Sequence, residues 1–555
     1  MRAGNRMRAA VVVLAVLAAA CSDDVETPAE VRAPDAPTQE GGTVTVAAEQ
    51  FPQTLNTKLQ ALAWTNRTTG PALARGYLLT PDLTYRPWLF SDDCTVPSTV
   101  PFTVSCRIRP EARWSDGTDL TADDFKFTAE VINDPRSKVI SREGFDKIQS
   151  FTVKGPKAFD MVFSEPRPAF RDMWTTAGGA TLPRHVLDGT DFNTVWNQCI
   201  CDPSTEKPIG SGPFLVESFT PATGPLVLAR NEAYWGERPK LDRIVFKPIA
   251  DTDATINAFR SAEVNVIFPT PQIGLREKIA EVANSVYQSK PGTSWEHFDM
   301  RTDVPGLDDP EVRRAIATAL PRAQIVDRLV KPADDQARVL NNVFYMTGHP
   351  AYKPHWSIYP ENGDPVAASQ ILERAGYRKG SDGVYAKDRP LRFTMGVNAD
   401  RTRELAQEII KSQLERAGIR LDIANAPDMV SKKRVAFDFQ TIIYAWTGAP
   451  DPIGGSVIWR EDTIPENGAT GLNFTKLRHP KVTELIKWAD RELDPGVRAD
   501  LYNQADDLLA REGISSVPLF QRPQPLAFTD RLVGLEVNPT IDSFTWNVER
   551  WAFRA

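Results

Sequence analysis

A chain of 555 residues with 41% hydrophobic and 25% charged side chains has an ordinary globular makeup and length for two to four domains. Its formal net charge of −7, with signs intermixed, offers no basic face of the kind nucleic acid requires. The 44 prolines are spread along it, which points to many short elements and turns rather than a helical bundle.

Arg2, Arg6 and Arg8 precede an apolar run, Ala9 to Ala20, that ends in Leu17-Ala18-Ala19-Ala20. Basic flank, short apolar core and small residues before a cut make residues 1–20 an export signal. The run is too short to cross a bilayer, which takes about 20 apolar residues. Cys21, directly after the small residues, resembles the lipidated cysteine of a bacterial lipobox. The pattern departs from the usual one at Ala18, where a leucine is customary, with Leu17 one place earlier. An ordinary secretory cut near Ala20, with Cys21 incidental, is the competing reading. Residues 21–40 follow as a flexible tether: Ser22 to Glu40 is rich in Pro, Ala and acids and cannot offset its ordering entropy. The lipidated reading anchors a soluble body on the outer face of the cell membrane.

Gly41 to Val46 reads as a first strand after a glycine break. Cys94, Cys106, Cys199 and Cys201 form an even set, which in an exported chain points to disulfides with three conceivable pairings. Cys94 and Cys106 flank a Pro-containing turn between two apolar-patterned segments, so a clip across a hairpin is the natural pair. Such a closure is worth about 3 kcal/mol on the chain-entropy model. Cys199-Ile200-Cys201 then closes a cramped ring or stays reduced. A metal site there would need ligands beyond one C-x-C, and no histidine neighbours it in sequence.

Trp114-Ser115-Asp116-Gly117 is a turn, and Thr121-Ala122-Asp123-Asp124 resembles a capping box. Ala122, Phe125, Ala129 and Ile132 then share a helix face, ended by Pro135. Asp309-Pro310 places an N-cap and an N1 proline before Val312, Ile316 and Leu320. Leu391, Phe393, Met395 and Val397 alternate as a strand. A helix follows with Leu405, Ile409 and Ala417 in periodic positions, closed by Gly418, and Ile419, Leu421 and Ile423 alternate again. That order predicts a βαβ unit, hence an α/β layer with a partly parallel sheet.

Four stretches in order resemble one known family. The first runs from Arg107-Ile108-Arg109-Pro110 through Trp114-Ser115-Asp116-Gly117 to Phe125. The second is Ile209-Gly210-Ser211-Gly212-Pro213-Phe214, then Arg230-Asn231-Glu232-Ala233-Tyr234-Trp235-Gly236 and Pro239-Lys240-Leu241-Asp242. The third is Asp309-Pro310-Glu311-Val312-Arg313-Arg314, and the fourth Trp446-Thr447-Gly448-Ala449-Pro450-Asp451-Pro452. Together they look like the extracytoplasmic solute-binding proteins of family 5, the peptide- and nickel-binding class that serves ABC importers. Read physically, Gly210 and Gly212 permit backbone angles closed to other residues, and Asn231, Tyr234 and Trp235 fill a strand-to-turn corner. These blocks hold the fold rather than mark a pocket.

The resemblance implies a periplasmic-binding-protein-like (type II) α/β fold: two lobes with a hinge, plus a family-specific inserted domain. Motif order places the base lobe at 41–78, 206–290 and 525–555, the insert at 79–205 and the second lobe at 291–524. All four body cysteines then fall in the insert, which leaves crossed pairing open. The resemblance also implies a monomer that captures di- or oligopeptides by lobe closure and delivers them to an ABC permease with its ATPase subunits. A second reading is an envelope glycolipid-assembly lipoprotein with the same fold, whose site would be a longer groove with stacked aromatics and an apolar end.

A peptide presents a cationic amine, and buried charge needs a partner. In peptide-binding relatives a carboxylate of the Trp…Asp-Pro segment pairs with that amine, and Asp451 matches it; the alternative is a turn-forming Asp before proline. Trp446 supplies a flat wall or core. Trp459, after Gly454-Gly455, and Trp64, after the Asn56 segment, are further candidates to line the cleft. Trp295 and Phe298 read as packing near the hinge. Arg301, Arg338 and Arg460 are the arginines available for a ligand carboxylate. No H-E-x-x-H, G-x-S-x-G or P-loop is present, so no catalytic residue and no cofactor is expected. The five histidines share no helix face, and no metal is expected; His349 and His355, flanking a loop, are the nearest to a metal or haem contact.

Overall fold

The computed structural model describes residues 37–555 apart from 61, 143, 176–178, 222 and 467–470. The export signal, Cys21 and most of the tether lie outside the described residues. The tether's end does not hang free: Thr38 and Gln39 pair antiparallel with Arg554 and Phe553.

Ten strands form one mixed sheet. They are β1 (Thr43–Ala48), β2 (Phe214–Phe219), β3 (Leu226–Arg230), β4 (Arg243–Pro248), β5 (Val266–Ile267), β6 (Ser285–Met300), β7 (Arg392–Gly396), β8 (Arg420–Ile423), β9 (Thr441–Thr447) and β10 (Ser516–Thr529). Their order across the sheet is β8-β7-β9-β6-β10-β5-β1-β4-β3-β2. β4 and β5 run parallel to β1, and β7 runs parallel to both β8 and β9. β1 begins just beyond the predicted glycine break, and Val44 and Val46 are buried.

β6 and β10 are the long members, antiparallel to each other over most of their length. Their register breaks between Pro291 and Trp295, where Pro291 faces Pro523. Proline has no amide hydrogen to give to a ladder. On one side of this break lies a core containing Val44, Phe90, Phe125, Trp174, Phe246 and Trp551. On the other lies a core containing Phe298, Ile316, Leu372, Ile410, Tyr502 and Leu519. Two side chains cross between them. Leu83, at the tip of the Thr80–Thr84 turn, is buried among the second core, and Leu493 packs against the first.

A separate four-stranded antiparallel sheet, Thr95–Thr99, Phe102–Arg107, Ala158–Phe163 and Ile148–Gly155 in that order, carries helix α1 (Ala122–Asn133). The predicted capping box is present: Thr121 and Asp124 satisfy each other's backbone amides, and Ala122, Phe125, Ala129 and Ile132 are the buried face. Cys94 is bonded to Cys106 across the first hairpin, and Cys199 to Cys201, so the pairings are local rather than crossed. Helix α2 (Pro310–Ala319) starts as predicted, with the Asp309 carboxylate accepting from Glu311 N at 2.9 Å.

The βαβ unit forms from β7, helix α3 (Arg401–Arg416) and β8, with Arg392 opposite Arg420 in parallel register. The inward face of its helix is wider than the apolar spacing alone gives: Ala417 is buried and Leu405 and Ile409 pack against the core, as expected, and further residues turn inward beside them. Leu405 and Ile409 are half-buried, while Arg403, Ala406, Gln407, Ile410 and Leu414 point inward. The buried polar pair is held by bonds: Gln407 Nε2 donates to Met395 O at 2.7 Å, and Arg403 grips Glu296 with Nε and Nη2. Arg522, from β10, meets the same carboxylate at 3.1 Å.

Gly210 and Gly212 differ from expectation in a second way. Neither has a positive φ. A Cβ at Gly212 would sit 2.2 Å from Pro71 O, and one at Gly210 2.6 Å from Ala72 O. These glycines serve close backbone approach, with Ser211 N and Gly212 N both donating to Ala72 O. The corner beyond them closes on the same segment, where Asn231 Nδ2 donates to Gly212 O at 2.8 Å and Trp235 Nε1 to Ser211 O at 2.9 Å.

Candidate functional site

A cavity of about 290 Å³ lies where the two cores face each other. Thr57 and Lys58, just past β1, form one wall; Phe145, Asp172 and Met173 form another; Gly454 closes it from the opposite side. The Asn56 side chain sets the first wall, donating to Phe192 O and Val195 O and accepting from Lys58 N at 3.2 Å. Lys58 Nζ donates to Ala180 O at 2.8 Å, and burial pushes its pKa down to about 7. Asp172 accepts from the Tyr85 hydroxyl at 2.6 Å. Burial, with the carboxylates of Asp172 and Asp451 adding to it, holds that hydroxyl well above its ordinary range. Asp451 is thus within electrostatic reach of Tyr85.

Asp451 is buried and doubly engaged. Its Oδ2 lies 2.7 Å from Arg498 Nη2, and its Oδ1 accepts from Ile453 N at 3.1 Å. It thus makes the predicted turn and also balances a cation of its own chain. Around it stand Tyr345 and His349, stacked at 4.7 Å. Burial pushes His349 down and Tyr345 up, with Asp451 raising both. Next to them the Tyr502 hydroxyl donates to Asp490 at 2.6 Å, and burial pushes the Asp490 carboxyl up.

The tryptophans sit elsewhere. Trp64 packs edge-on against Phe268 and Phe544, with the Arg67 guanidinium 5.0 Å above it. Trp459 is buried 6.5 Å from Trp295 and beside Phe344 in the second core. Trp295 and Phe298 are core residues, as expected. Trp446, on β9 opposite Trp295, lies parallel to His297 and Phe474. Arg434 stands 5.0 Å over it and 4.5 Å over both Tyr444 and Phe474, a cation–π box. None of these three candidate rings borders the 290 Å³ cavity.

Of the three candidate arginines, Arg301 bonds Asp303 and Phe439 O, and Arg338 is exposed. Arg460 pairs with Asp462 and Asp490 close to the gap. Lys58, Arg498 and Arg167 are not singled out by sequence. Lys58 adjoins the Asn56 segment, which is; Arg498 sits within a helix (Pro495–Leu508) and carries no local signal.

Ser516, His297 and Asp299 also meet, but not as a hydrolytic triad. Ser516 Oγ donates to the Asp299 carboxylate, His297 Nδ1 is 2.7 Å from the same carboxylate, and all three are buried. A triad needs the imidazole between hydroxyl and carboxylate. Among the described residues no group of three His, Cys, Asp or Glu side chains is arranged to hold a metal ion.

Comparison with known proteins fits this architecture. Residues 79–463 match the model of the bacterial extracellular solute-binding proteins, family 5 Middle. The oligopeptide-binding protein OppA of Mycobacterium tuberculosis is 27% identical over 520 residues, covering 89% of this chain and 82% of that protein. Among solved structures, the periplasmic EDTA-binding protein EppA superposes with a TM-score of 0.81 at 21% identity, covering 95% of this chain and all of that one. The oligopeptide-binding protein AppA of Bacillus subtilis, in complex with a nonapeptide, gives 0.71 at 20% identity, covering 93% and 100%. The fold is thus the two-lobed, type II periplasmic-binding architecture, and the chain belongs to the bacterial extracellular solute-binding proteins of family 5, which are binding proteins and not enzymes.

Proposed function

We propose that the chain is the lipid-anchored, substrate-binding component of an ABC importer, and that it captures di- or oligopeptides by lobe closure. The observation that carries this reading is the cavity between the cores, with Lys58 and Asp172 on one side and the Asp451 segment on the other. Its lining sets polar side chains beside apolar ones, as a site for a ligand of mixed polarity needs. Relatives named as oligopeptide-binding proteins support the peptide class. The base lobe is assigned to 41–78, 206–290 and 525–555, the insert to 79–205 and the second lobe to 291–524; the register break at Pro291 and Pro523 falls at those boundaries. A lining that mixes Lys58 and Asp172 with apolar walls does not favour the long aromatic groove expected for a glycolipid.

Asp451 receives the ligand's amine in this reading, sharing its charge between that amine and Arg498. Short peptides should raise the melting temperature of the purified protein. At a peptide concentration 100 times Kd the gain is about 2.7 kcal/mol. Asp451→Ala should remove most of that gain. An undiminished gain in the variant would leave the residue as turn former and partner of Arg498 only. Cys21→Ser should release the protein from the membrane fraction; retention there would sink the lipid anchor.

A further inference from the structure

The two disulfides are unlike. Cys94 and Cys106, 12 positions apart, are both buried, and their bond closes a hairpin inside the first core. Cys199 and Cys201 have Ile200 alone between them; Cys199 is exposed and Cys201 is buried. Ile200 and Trp196 lodge in the first core, and Trp196 Nε1 donates to Cys201 O at 3.0 Å. Ile200 O accepts from Ile209 N at 3.0 Å. Asn197, just before this small ring, fastens the segment that leads into the wall of the 290 Å³ cavity. Its Oδ1 accepts from Thr54 Oγ1 at 2.8 Å, and its backbone O accepts from Leu55 N at 3.4 Å. Thr54 Oγ1 in turn accepts from Asn56 N at 3.1 Å, and the Asn56 side chain holds Lys58 N. A run of bonds thus links an exposed cysteine to Thr57 and Lys58 on the cavity wall.

We propose that the Cys199–Cys201 pair is a site of exchange with small thiols, and that its reduction loosens the wall of the solute cavity. Exposed disulfides exchange more readily than sealed ones. A ring that spans one residue also gains less chain entropy over two free thiols than the hairpin closure does. A thiolate attacks Cys199 Sγ from outside; the bond to Cys201 breaks, and the Cys201 sulfur leaves as a thiolate and takes up the proton that the attacking thiol gave. A second thiol attacks the mixed disulfide in the same way, frees Cys199 as a thiol and departs as the small-molecule disulfide. Two small thiols are oxidised, one protein disulfide is reduced, and no further reagent enters. The opened segment regains backbone freedom at 199–201. Asn197 then lets go of Thr54 and Leu55, and the wall that begins at Asn56 slackens. Solute is held less tightly in reducing surroundings as a result. That last step alone rests on reading the cavity as the solute site; the exchange and the loosening do not.

The test treats the full-length protein in detergent with about 10 mM 2-mercaptoethanol and then N-ethylmaleimide, maps the labelled cysteines by peptide mass spectrometry, and follows amide hydrogen exchange in parallel. Cys199 and Cys201 should be labelled at least about tenfold faster than Cys94 and Cys106. Amide exchange across 54–58 should quicken at least about fivefold on reduction and slow again on reoxidation. The double variant Cys199→Ser/Cys201→Ser should show the quickened exchange with or without thiol. Asn197→Ala should remain reducible, with exchange at 54–58 already quick before reduction. Equal labelling of the two pairs, or labelling of neither, overturns the exchange site. Fast labelling with unchanged exchange at 54–58 overturns the link to the wall. Reduction should also shrink the thermal gain from short peptides. A full gain in the reduced protein, with 54–58 loosened, overturns the effect on the solute. No gain in either state overturns the peptide reading and leaves the thiol exchange and the loosened wall standing.

Discussion

Lys58 shows how much one buried side chain can say that sequence does not. Nothing in Asn56-Thr57-Lys58 distinguishes this lysine from the many on the surface. The fold seals it against Ala180 O, and lack of solvent lowers its pKa from 10.5 to about 7. Between those values the unfolded chain holds a proton that the folded chain has shed, so this group makes stability rise with pH. Below about pH 7 both states are protonated and its contribution is flat. The slope reaches about 1.4 kcal/mol per pH unit at most. Urea midpoints of wild type minus Lys58→Met should therefore climb from pH 7 to 10. Parallel profiles across that range would show that the lysine is not desolvated as described. The Asp-Pro turn at Asp451 is legible because its chemistry is local. Its Arg498 partner is not, because a pair 47 positions apart leaves no trace in either neighbourhood. The tryptophans are ambiguous in sequence for a related reason: an indole near a glycine run looks the same whether it faces a cleft or, like Trp459, a second indole in the core.

Elements are more legible than side chains, since helix starts and strand alternation are written over a few adjacent residues. The capping box at Thr121, the Asp309-Pro310 start and the parallel β7–α3–β8 unit all form where expected. The inward face of α3 is wider than expected, because apolar spacing alone ignores polar side chains that find buried partners. Arg403 and Gln407 turn inward to Glu296 and the β7 backbone, and Leu405 and Ile409 are left half-covered. The Gly210–Gly212 segment is structural, as its residues suggest, but through a different constraint. Gly212 has an ordinary φ, and a methyl group placed on it would lie only 2.2 Å from Pro71 O, so the missing side chain matters for distance alone. Gly212→Ala should cost about 2–4 kcal/mol by forcing the 71–72 backbone away. A chemical-denaturation midpoint equal to wild type would mean that the segment yields more easily than its packing implies.

At the scale of the molecule, the two cores are separate but interlocked by single side chains. Leu83 leaves its own hairpin to lodge in the second core, in a residue with φ of 63° whose turn is tied by Thr80 and Thr84. Burying a leucine is worth about 1.5–3 kcal/mol. Leu83→Asp should forfeit that contact and favour the open form, seen as a larger radius of gyration without ligand and faster ligand release. An unchanged scattering profile would show the contact to be incidental. Pro291 faces Pro523 on the two strands that join the halves, and neither carries a hydrogen to bridge the gap between them. Intact ladders continue on both sides of that missing rung and keep each flank stiff. On the proposed reading of peptide capture, this pivot would channel motion into a single swing, like a door on a pin, and peptides of differing length would be met by a different angle of that swing rather than by a reshaped wall.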